Sequence, residues 1–164
     1  MTPFEPDPGQ LRNFTGNVPL FPLPDTVLFP NGLLPLMIFE PRYREMIADA
    51  LAGDKLIAMA LLAPGWESSY ESKTATIHQT VCIGRIASSK LLSDGRYQVV
   101  IEGLARGQVL DEDHDSRPYR IGRVELNPEM PADLSSELRR RRQRELLVGF
   151  QQVAAGFDFD NTFH

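Results

Sequence analysis

The clearest helical pattern of hydrophobic positions begins after Pro41 and ends at Gly53. Hydrophobic side chains recur there at spacings of three and four residues, which places them on one face of a helix. They are Tyr43, Met46, Ile47, Ala50 and Leu51. Proline suits the first helical position because its missing N–H needs no partner there, and glycine commonly follows the last turn. The pattern predicts an amphipathic helix that covers one opening of the core.

Most other hydrophobic positions have the patterns of β-strands. Residues 56–62 are continuously apolar and too short for a typical helix, which predicts a strand buried on both faces. Asp94 and Gly95 form a turn signal, and apolar side chains alternate along the residues that follow, so a hairpin is predicted. Gly103 is predicted as a bulge or a bend in its second strand. The other predicted strands are residues 26–29, 33–39, 81–86 and 119–126.

Prolines interrupt the first apolar run, residues 18–30. A proline cannot donate to a ladder, so Pro19, Pro22 and Pro24 argue against a central strand at this place. The sequence instead predicts an extended segment at an edge of the sheet. Its unpaired backbone groups would be available to a guest strand.

Three regions of the chain differ in composition. Residues 1–17 hold prolines and glycines among polar residues and are predicted as an N-terminal arm. Residues 18–130 carry the strand patterns and the helix. Residues 131–164 contain a second helical pattern after the N-cap candidate Asp133, which predicts a C-terminal helical extension. The fold class is therefore predicted as mainly β with α (α+β).

The composition is that of a soluble globular domain, with 164 residues of which 42% are hydrophobic and 24% are charged. The formal charge of −5 has the wrong sign for a protein that binds nucleic acid over its whole surface. A single cysteine, Cys82, can form neither an internal disulfide nor a multi-cysteine zinc site. No apolar run approaches the roughly 20 residues of a membrane span. We therefore expect a cytoplasmic protein with no membrane attachment.

Motifs for catalysis and cofactor binding are missing from the sequence. It has no glycine-rich phosphate loop and no serine in a Gly-x-Ser-x-Gly turn. His114 lies among acidic residues, but their spacing lacks the glycine and the terminal glutamate of a calcium-binding loop. We expect no catalytic residue, no metal and no cofactor.

Five arginines in a short stretch form the strongest charge feature. They are Arg139, Arg140, Arg141, Arg142 and Arg144. Guanidinium groups suit phosphates, so a helix that carries them could contact RNA. The acidic total favours a solvated helix surface instead, with Glu137 and Glu145 as ion-pair partners for Arg141.

Two polar pairs interrupt apolar surroundings. Glu40 and Arg42 flank Pro41 at the start of the predicted helix, and Glu102 and Arg106 follow the hairpin strand. Buried charges are normally paired. We interpret these four residues as a structural polar cluster, with Glu40 paired to Arg106 or Arg42, and consider ligand contacts the less favoured alternative.

The order of these motifs resembles the N-terminal substrate-binding domain of ATP-dependent Lon proteases. The similarity covers residues 18–126 and is closest to stand-alone bacterial proteins made of that domain; cereblon contains the same module. The motifs that carry it are VPLFPLPDTVLFP, FEPRY at the start of the helix, Gly84 within VCIGRI, and Glu102, Gly103, Leu104 and Arg106 after the hairpin. The resemblance implies a PUA-like β-barrel capped by one short helix and followed by a C-terminal helix.

The resemblance also implies a function. In full-length Lon this domain helps to capture unfolded or tagged polypeptides, while an ATPase module and a peptidase module perform the chemistry; this sequence contains neither module. We therefore expect a non-catalytic module that recognises unfolded or extended polypeptide, with a separate ATPase or protease as a candidate partner. The alternative is a PUA-like domain that binds RNA through the arginine-rich helix.

Four residues are predicted to contact a peptide. Leu23 and Phe29 lie in or near the proline-interrupted edge, and Trp66 and Tyr70 lie in a loop that we expect to be mobile. Leu23 and Phe29 are equally suited to the core.

Overall fold

The computed structural model describes residues 14–127, together with Leu11, Arg141, Arg144 and Glu145. The predicted N-terminal arm and C-terminal helical extension therefore lie almost entirely outside the described residues. The elements in chain order are β1 (Asn17–Leu23), β2 (Leu33–Ile38), α1 (Pro41–Ala52), β3 (Leu56–Leu61), a 3-10 turn (Trp66–Ser69), β4 (Thr80–Leu91), β5 (Tyr97–Asp113) and β6 (Arg120–Leu126).

The strands form one mixed sheet in the order β2-β5-β4-β3-β1-β6, and β5 also pairs with β6. This additional pairing closes a circuit of hydrogen-bonded strands through β5, β4, β3, β1 and β6, and leaves β2 outside the circuit at an edge. The β1–β3 pair is parallel and the other pairs are antiparallel. The predicted α+β class is confirmed, although the mixed sheet is not a simple barrel.

The predicted helix and its apolar face are confirmed by α1. It buries Tyr43, Met46, Ile47 and Ala50 within one of two hydrophobic clusters, together with strand residues such as Ile101. Full burial of a large aliphatic side chain contributes about 1.5–3 kcal/mol, so this face holds the helix to the sheet. The second cluster lies among β1, β3, β4, β5 and β6.

The predicted buried strand and hairpin are also confirmed. Five of the six residues of β3 are buried. The β4–β5 hairpin turns at Gly95, whose φ of +82° lies in the left-handed region that favours glycine. Between Ile83 and Gly84 the ladder shifts register, so that β5 contains one extra residue beside Gly103, as the predicted bulge requires.

The prediction of an edge position for the first apolar run was wrong, because β1 lies between β3 and β6. Its first half, up to Leu20, pairs with β6, and its second half, from Leu20 onward, pairs with β3. Pro19 and Pro22 therefore each lie where the strand pairs on one side only, which removes their conflict with an interior position. Consequently β1 does not offer the continuous free edge that a guest strand needs.

The predicted strand at residues 26–29 is also absent. Leu28 is buried in the core, whereas its neighbours Val27 and Phe29 are 54% and 61% exposed. The Phe29 carbonyl accepts a hydrogen bond from the Gly32 N–H at 2.9 Å, so the segment ends in a turn. This turn crosses over Gly103 and leads into β2.

Candidate functional site

Exposed hydrophobic side chains are concentrated in residues 27–39. Among the described residues, this segment contains five of the seven large hydrophobic side chains that are exposed: Val27, Phe29, Leu33, Met37 and Phe39; the other two are Leu91 and Leu110. Single exposed hydrophobic residues are normal on a protein surface, whereas a concentration of them marks a binding surface. We refer to residues 27–39 as the apolar segment.

The alternation of side chains along β2 explains two of these five exposed residues. Leu34 and Leu36 pack against the core, while Leu33 and Met37 point from the opposite face of the strand and stay exposed. A groove of about 570 Å³ lies beside Met37. Its lining residues from the three strands β2, β5 and β4 are Pro35, Leu36, Met37, Val99, Val100, Gln98, Ser88, Ser89 and Lys90.

A second groove lies beside the first part of the apolar segment. It has a volume of about 230 Å³ and is lined by Val27 and Phe29 together with side chains of β3, β4 and β5, among them Leu61, Val81 and Arg106. The apolar segment thus borders two separate grooves with mostly apolar walls.

Glu40 and Arg42 belong to a compact set of polar contacts at the start of α1. The Arg42 guanidinium donates to Glu40 Oε2 through Nε at 3.1 Å and Nη2 at 2.9 Å, and through Nη1 to the Tyr70 carbonyl at 3.1 Å. The Tyr70 hydroxyl donates to Glu40 Oε1 at 2.7 Å. Arg42 Cζ also lies 4.7 Å from the ring centre of Tyr43 and 4.6 Å from that of Tyr70. These contacts tie the loop that contains Tyr70 to the helix.

The same loop is held at its far end. Lys73 Nζ donates to the carbonyls of His114 and Arg117, and Arg120 Nη1 donates to the Ala75 carbonyl at 2.7 Å. Trp66 packs edge-on against Tyr70, with ring centres 5.4 Å apart. The loop is therefore fastened at both ends, where the sequence predicts mobility.

The four residues predicted as a polar cluster do not share one place. Glu40 pairs with Arg42, but Glu102 pairs with Arg85 across the β4–β5 ladder at 2.9 Å. Arg106 is exposed and lines the smaller groove. Cross-strand partners depend on register, which the bulge in this ladder shifts, so the pairing of Arg85 with Glu102 could not be predicted from the local pattern.

The four predicted peptide contacts are similarly dispersed. Phe29 is exposed in the apolar segment, whereas Leu23, Trp66 and Tyr70 are partly buried against the two hydrophobic clusters. Sequence reasoning did not select Leu33, Met37 and Phe39. Their signal is the unbroken apolar run of β2, because a strand with one covered face needs apolar residues only at alternate positions.

Residues 17–158 match the family described as the ATP-dependent protease La (LON) substrate-binding domain. The chain belongs to this family. The Lon protease of Geobacter metallireducens is 32% identical over 135 residues, which are 80% of this chain and 16% of that protein. The Lon protease of Dictyoglomus thermophilum is 29% identical over 147 residues, 89% of this chain and 18% of that protein. The chain thus spans less than a fifth of the length of these Lon proteases.

Solved Lon structures share the fold. A Lon N-terminal domain protein from Xanthomonas campestris superimposes with a TM-score of 0.58 at 24% identity, over 74% of this chain and 66% of that one. The N-terminal domain of the Mycobacterium avium complex Lon protease gives a TM-score of 0.64 at 20% identity, over 85% and 70% of the two chains. The family match concerns the substrate-binding domain of Lon and does not cover its catalytic domains.

The candidates for RNA contacts, for a metal site and for a membrane span show few specific features in the part of the chain that the structure describes. Arg141 forms an ion pair with Glu145 at 3.0 Å, and both side chains are exposed, as is Arg144. Arg139, Arg140 and Arg142 lie outside the described residues. Within the part of the chain that the structure describes, no group of three His, Cys, Asp or Glu side chains is arranged to hold a metal ion. No helix in that part is long and apolar enough to cross a membrane.

Alkaline pH should destabilise the domain through its buried tyrosines. The Tyr119 hydroxyl donates to Asp49 Oδ2 at 2.6 Å, and burial, reinforced by this bond, raises the pKa of Tyr119. Because the folded protein keeps this proton more tightly than the unfolded chain does, its stabilising contribution is complete below about pH 10 and declines as the pH rises toward the raised pKa. Urea unfolding between about pH 8 and about pH 11 should show a smaller loss of stability for Tyr119→Phe than for the wild type. Identical losses would contradict this assignment.

Proposed function

We propose that the chain is a non-catalytic module that recognises unfolded or extended polypeptide through the apolar segment. The family match supports polypeptide as the ligand class. The observation that carries the proposal is the concentration of exposed hydrophobic side chains in residues 27–39. The two grooves that this segment borders provide space for the side chains of a ligand.

The chemistry of this surface suits a ligand of variable sequence. Unfolded polypeptides expose apolar side chains, and each square ångström of apolar surface removed from water contributes about 25 cal/mol. Met37 adds an unbranched, polarisable side chain that adapts to different partners. Polar residues at the groove walls, such as Ser88 and Gln98, can bond to the backbone of a ligand whatever its sequence.

The proposal locates this recognition in the cytoplasm, with a separate ATPase or protease as the candidate partner that would act on the bound polypeptide. RNA binding through the arginine-rich helix remains the alternative hypothesis. It predicts an affinity that falls steeply with salt, whereas apolar contacts with a polypeptide should depend on salt only weakly.

The double substitution Phe29→Ser and Phe39→Ser should weaken binding to a permanently unfolded, reduced and alkylated protein about tenfold. Two partly buried phenylalanine contacts, each below the roughly 1.5–3 kcal/mol of full burial, are sufficient for a change of this size. Both side chains are more than 60% exposed. Folding stability should therefore change by less than about 0.5 kcal/mol. Fluorescence anisotropy with the labelled unfolded protein measures the affinity.

Leu110→Ser is the matched control for this experiment. Leu110 is 52% exposed and lies on β5 outside the apolar segment. The control should bind the unfolded protein like the wild type. A loss as large as that of the double variant would mean that exposed hydrophobicity in general, and not this segment, determines the binding.

A further inference from the structure

The last residues of β4 form a free sheet edge in the part of the chain that the structure describes. The ladder between β3 and β4 reaches only to Arg85, and one more bond, from the Ile86 N–H to the Lys55 carbonyl at 2.9 Å, completes it. Beyond this point β4 pairs with β5 alone. Residues 88–91 are all exposed. One side of this strand end is therefore open along its length.

The hydrogen-bond pattern determines which backbone groups face this edge. The Leu92 N–H donates to the Arg96 carbonyl at 2.8 Å, and bonded positions alternate along an antiparallel ladder. Lys90 therefore bonds to β5, whereas Ser89 and Leu91 direct their N–H and C=O groups toward the free edge. Unpaired groups of this kind are a template for an added strand.

The edge strand β2 is the other place where a strand could add, and Pro35 makes it the poorer one. The Gly103 N–H donates to the Gly32 carbonyl at 2.9 Å, so by alternation Leu34 and Leu36 bond to β5. The Pro35 nitrogen then faces outward. Its ring occupies the space in which an N–H would meet the carbonyl of an added strand, and it would collide with that carbonyl.

Lys90 favours a negative charge at the facing position of an added strand. It forms no ion pair with any residue that the structure describes. It lies at a position that does not bond to the added strand, where opposed Cα atoms approach to about 4.5 Å and side chains are closest. An acidic residue there is attracted and a basic one is repelled. Symmetric pairing of β4 with a second copy in the register that joins Ser89 to Leu91 would oppose two Lys90 side chains, so self-association in that register is disfavoured.

We propose that the free edge of β4 binds an extended polypeptide segment in which apolar and acidic residues alternate, as an added antiparallel strand. The acidic residue lies opposite Lys90, and an apolar residue on the other face packs beside Leu91, which is 59% exposed. This inference rests on the proposed function, because the ligand is again extended polypeptide, and it adds a second contact surface at the β4 edge. The backbone of the ligand bonds to Ser89 and Leu91, and the alternation of its side chains provides selectivity.

Capped eight-residue peptides test this inference with the full chain. One alternates valine and glutamate, a second alternates valine and lysine, and a third is the first with N-methylated valines, which cannot donate to Ser89 and Leu91. The valine–glutamate peptide should bind at least about fivefold more tightly than the valine–lysine peptide. It should slow amide hydrogen exchange at Ser89 and Leu91, and N-methylation should abolish both effects.

Substitutions at Ser89 and Lys90 test the contributions of backbone pairing and of side-chain charge separately. Lys90→Glu should reverse the preference between the two peptides, while Lys90→Arg should retain it. Ser89→Pro should abolish binding of both peptides because it removes an outward N–H, and Ser89→Ala is its control and should bind normally. If Ser89→Pro disturbs the fold, as judged by circular dichroism, the N-methylated peptide provides the same information.

Two results would overturn the inference. One is equal affinity for the valine–glutamate and valine–lysine peptides, and the other is protection confined to residues 27–39. If the unfolded protein still binds in the wild type and loses affinity in the double phenylalanine variant, the proposed function stands and only the β4 edge is excluded. If neither the peptides nor the unfolded protein bind, both proposals fail.

Discussion

We expect Arg42→Met to lower the free energy of unfolding by about 3 kcal/mol, measured by urea denaturation at neutral pH. The Arg42 side chain is only 14% exposed, and its guanidinium makes three hydrogen bonds to Glu40 and Tyr70. Methionine fills much of the same volume but leaves the Glu40 carboxylate, 26% exposed, without its cation. An unpaired and partly buried charge is the main cost.

The contacts of the Arg42 guanidinium with Glu40, Tyr43 and Tyr70 make lysine a poor replacement. A lysine ammonium cannot make the planar set of bonds that reaches Glu40 and the Tyr70 carbonyl together. Arg42→Lys should therefore recover only part of the loss, and amide exchange should accelerate in the loop that contains Tyr70. Full recovery with lysine would show that charge alone matters at this position.

Arg96→Met is the matched control. Arg96 also pairs with a nearby carboxylate, Asp94, at 2.7 Å, but the two side chains are 46% and 49% exposed. Solvent screens such a pair, so its removal should cost much less stability than the loss of the Arg42 contacts. Equal losses for Arg42→Met and Arg96→Met would contradict a structural role for the contacts at the start of α1.

We expect Gly103→Ala to lower the free energy of unfolding by about 2 kcal/mol. A Cβ at this position would lie 2.2 Å from the Phe29 carbonyl oxygen and 2.9 Å from its carbon. Both are backbone atoms that cannot rotate away, so the turn before β2 must shift. Because the shift moves Phe29, the same variant should also weaken binding of the unfolded protein.

Gly65→Ala distinguishes this collision from simple backbone strain. Gly65 has a φ of +86°, which an alanine adopts at a cost of about 1 kcal/mol, but no residue beyond its chain neighbours has an atom within 4 Å of the added Cβ. This control should lose less stability than Gly103→Ala and should bind the unfolded protein normally. If the two variants behave alike, the contact with Phe29 has no special importance.

Local sequence signals were sufficient to predict the helix and the hairpin, because both depend on interactions between residues close together in the chain. Proline at the start and glycine at the end defined α1, and the Asp94 and Gly95 turn defined the β4–β5 hairpin. The position of β1 was not predictable in this way. Pro19 can occupy an interior strand only because β6 pairs with the first half of β1 and β3 with the second half. Where those two distant strands begin and end is not visible in the sequence around Pro19.

The candidate site was less predictable than the fold. Phe29 could be selected as a contact, but its exposure depends on Leu28, which anchors the turn in the core. The exposure of Leu33 and Met37 depends on which face of β2 packs against the hydrophobic cluster. Both facts follow from packing between distant elements. The unbroken apolar run of β2 indicates that some apolar side chains stay exposed, but it does not show which face is covered.

The pairing of β1 with β6 has a mechanical consequence. Asn17, the first residue of β1, lies opposite Arg123 of β6, and the two strands run antiparallel, so the chain enters and leaves the sheet at the same end of this ladder, with β6 continuing to Leu126. A force that pulls these ends apart acts on one hydrogen bond of this ladder at a time and peels the strands open. The domain should therefore unfold at low force when it is pulled at its two ends, even though its core is well packed.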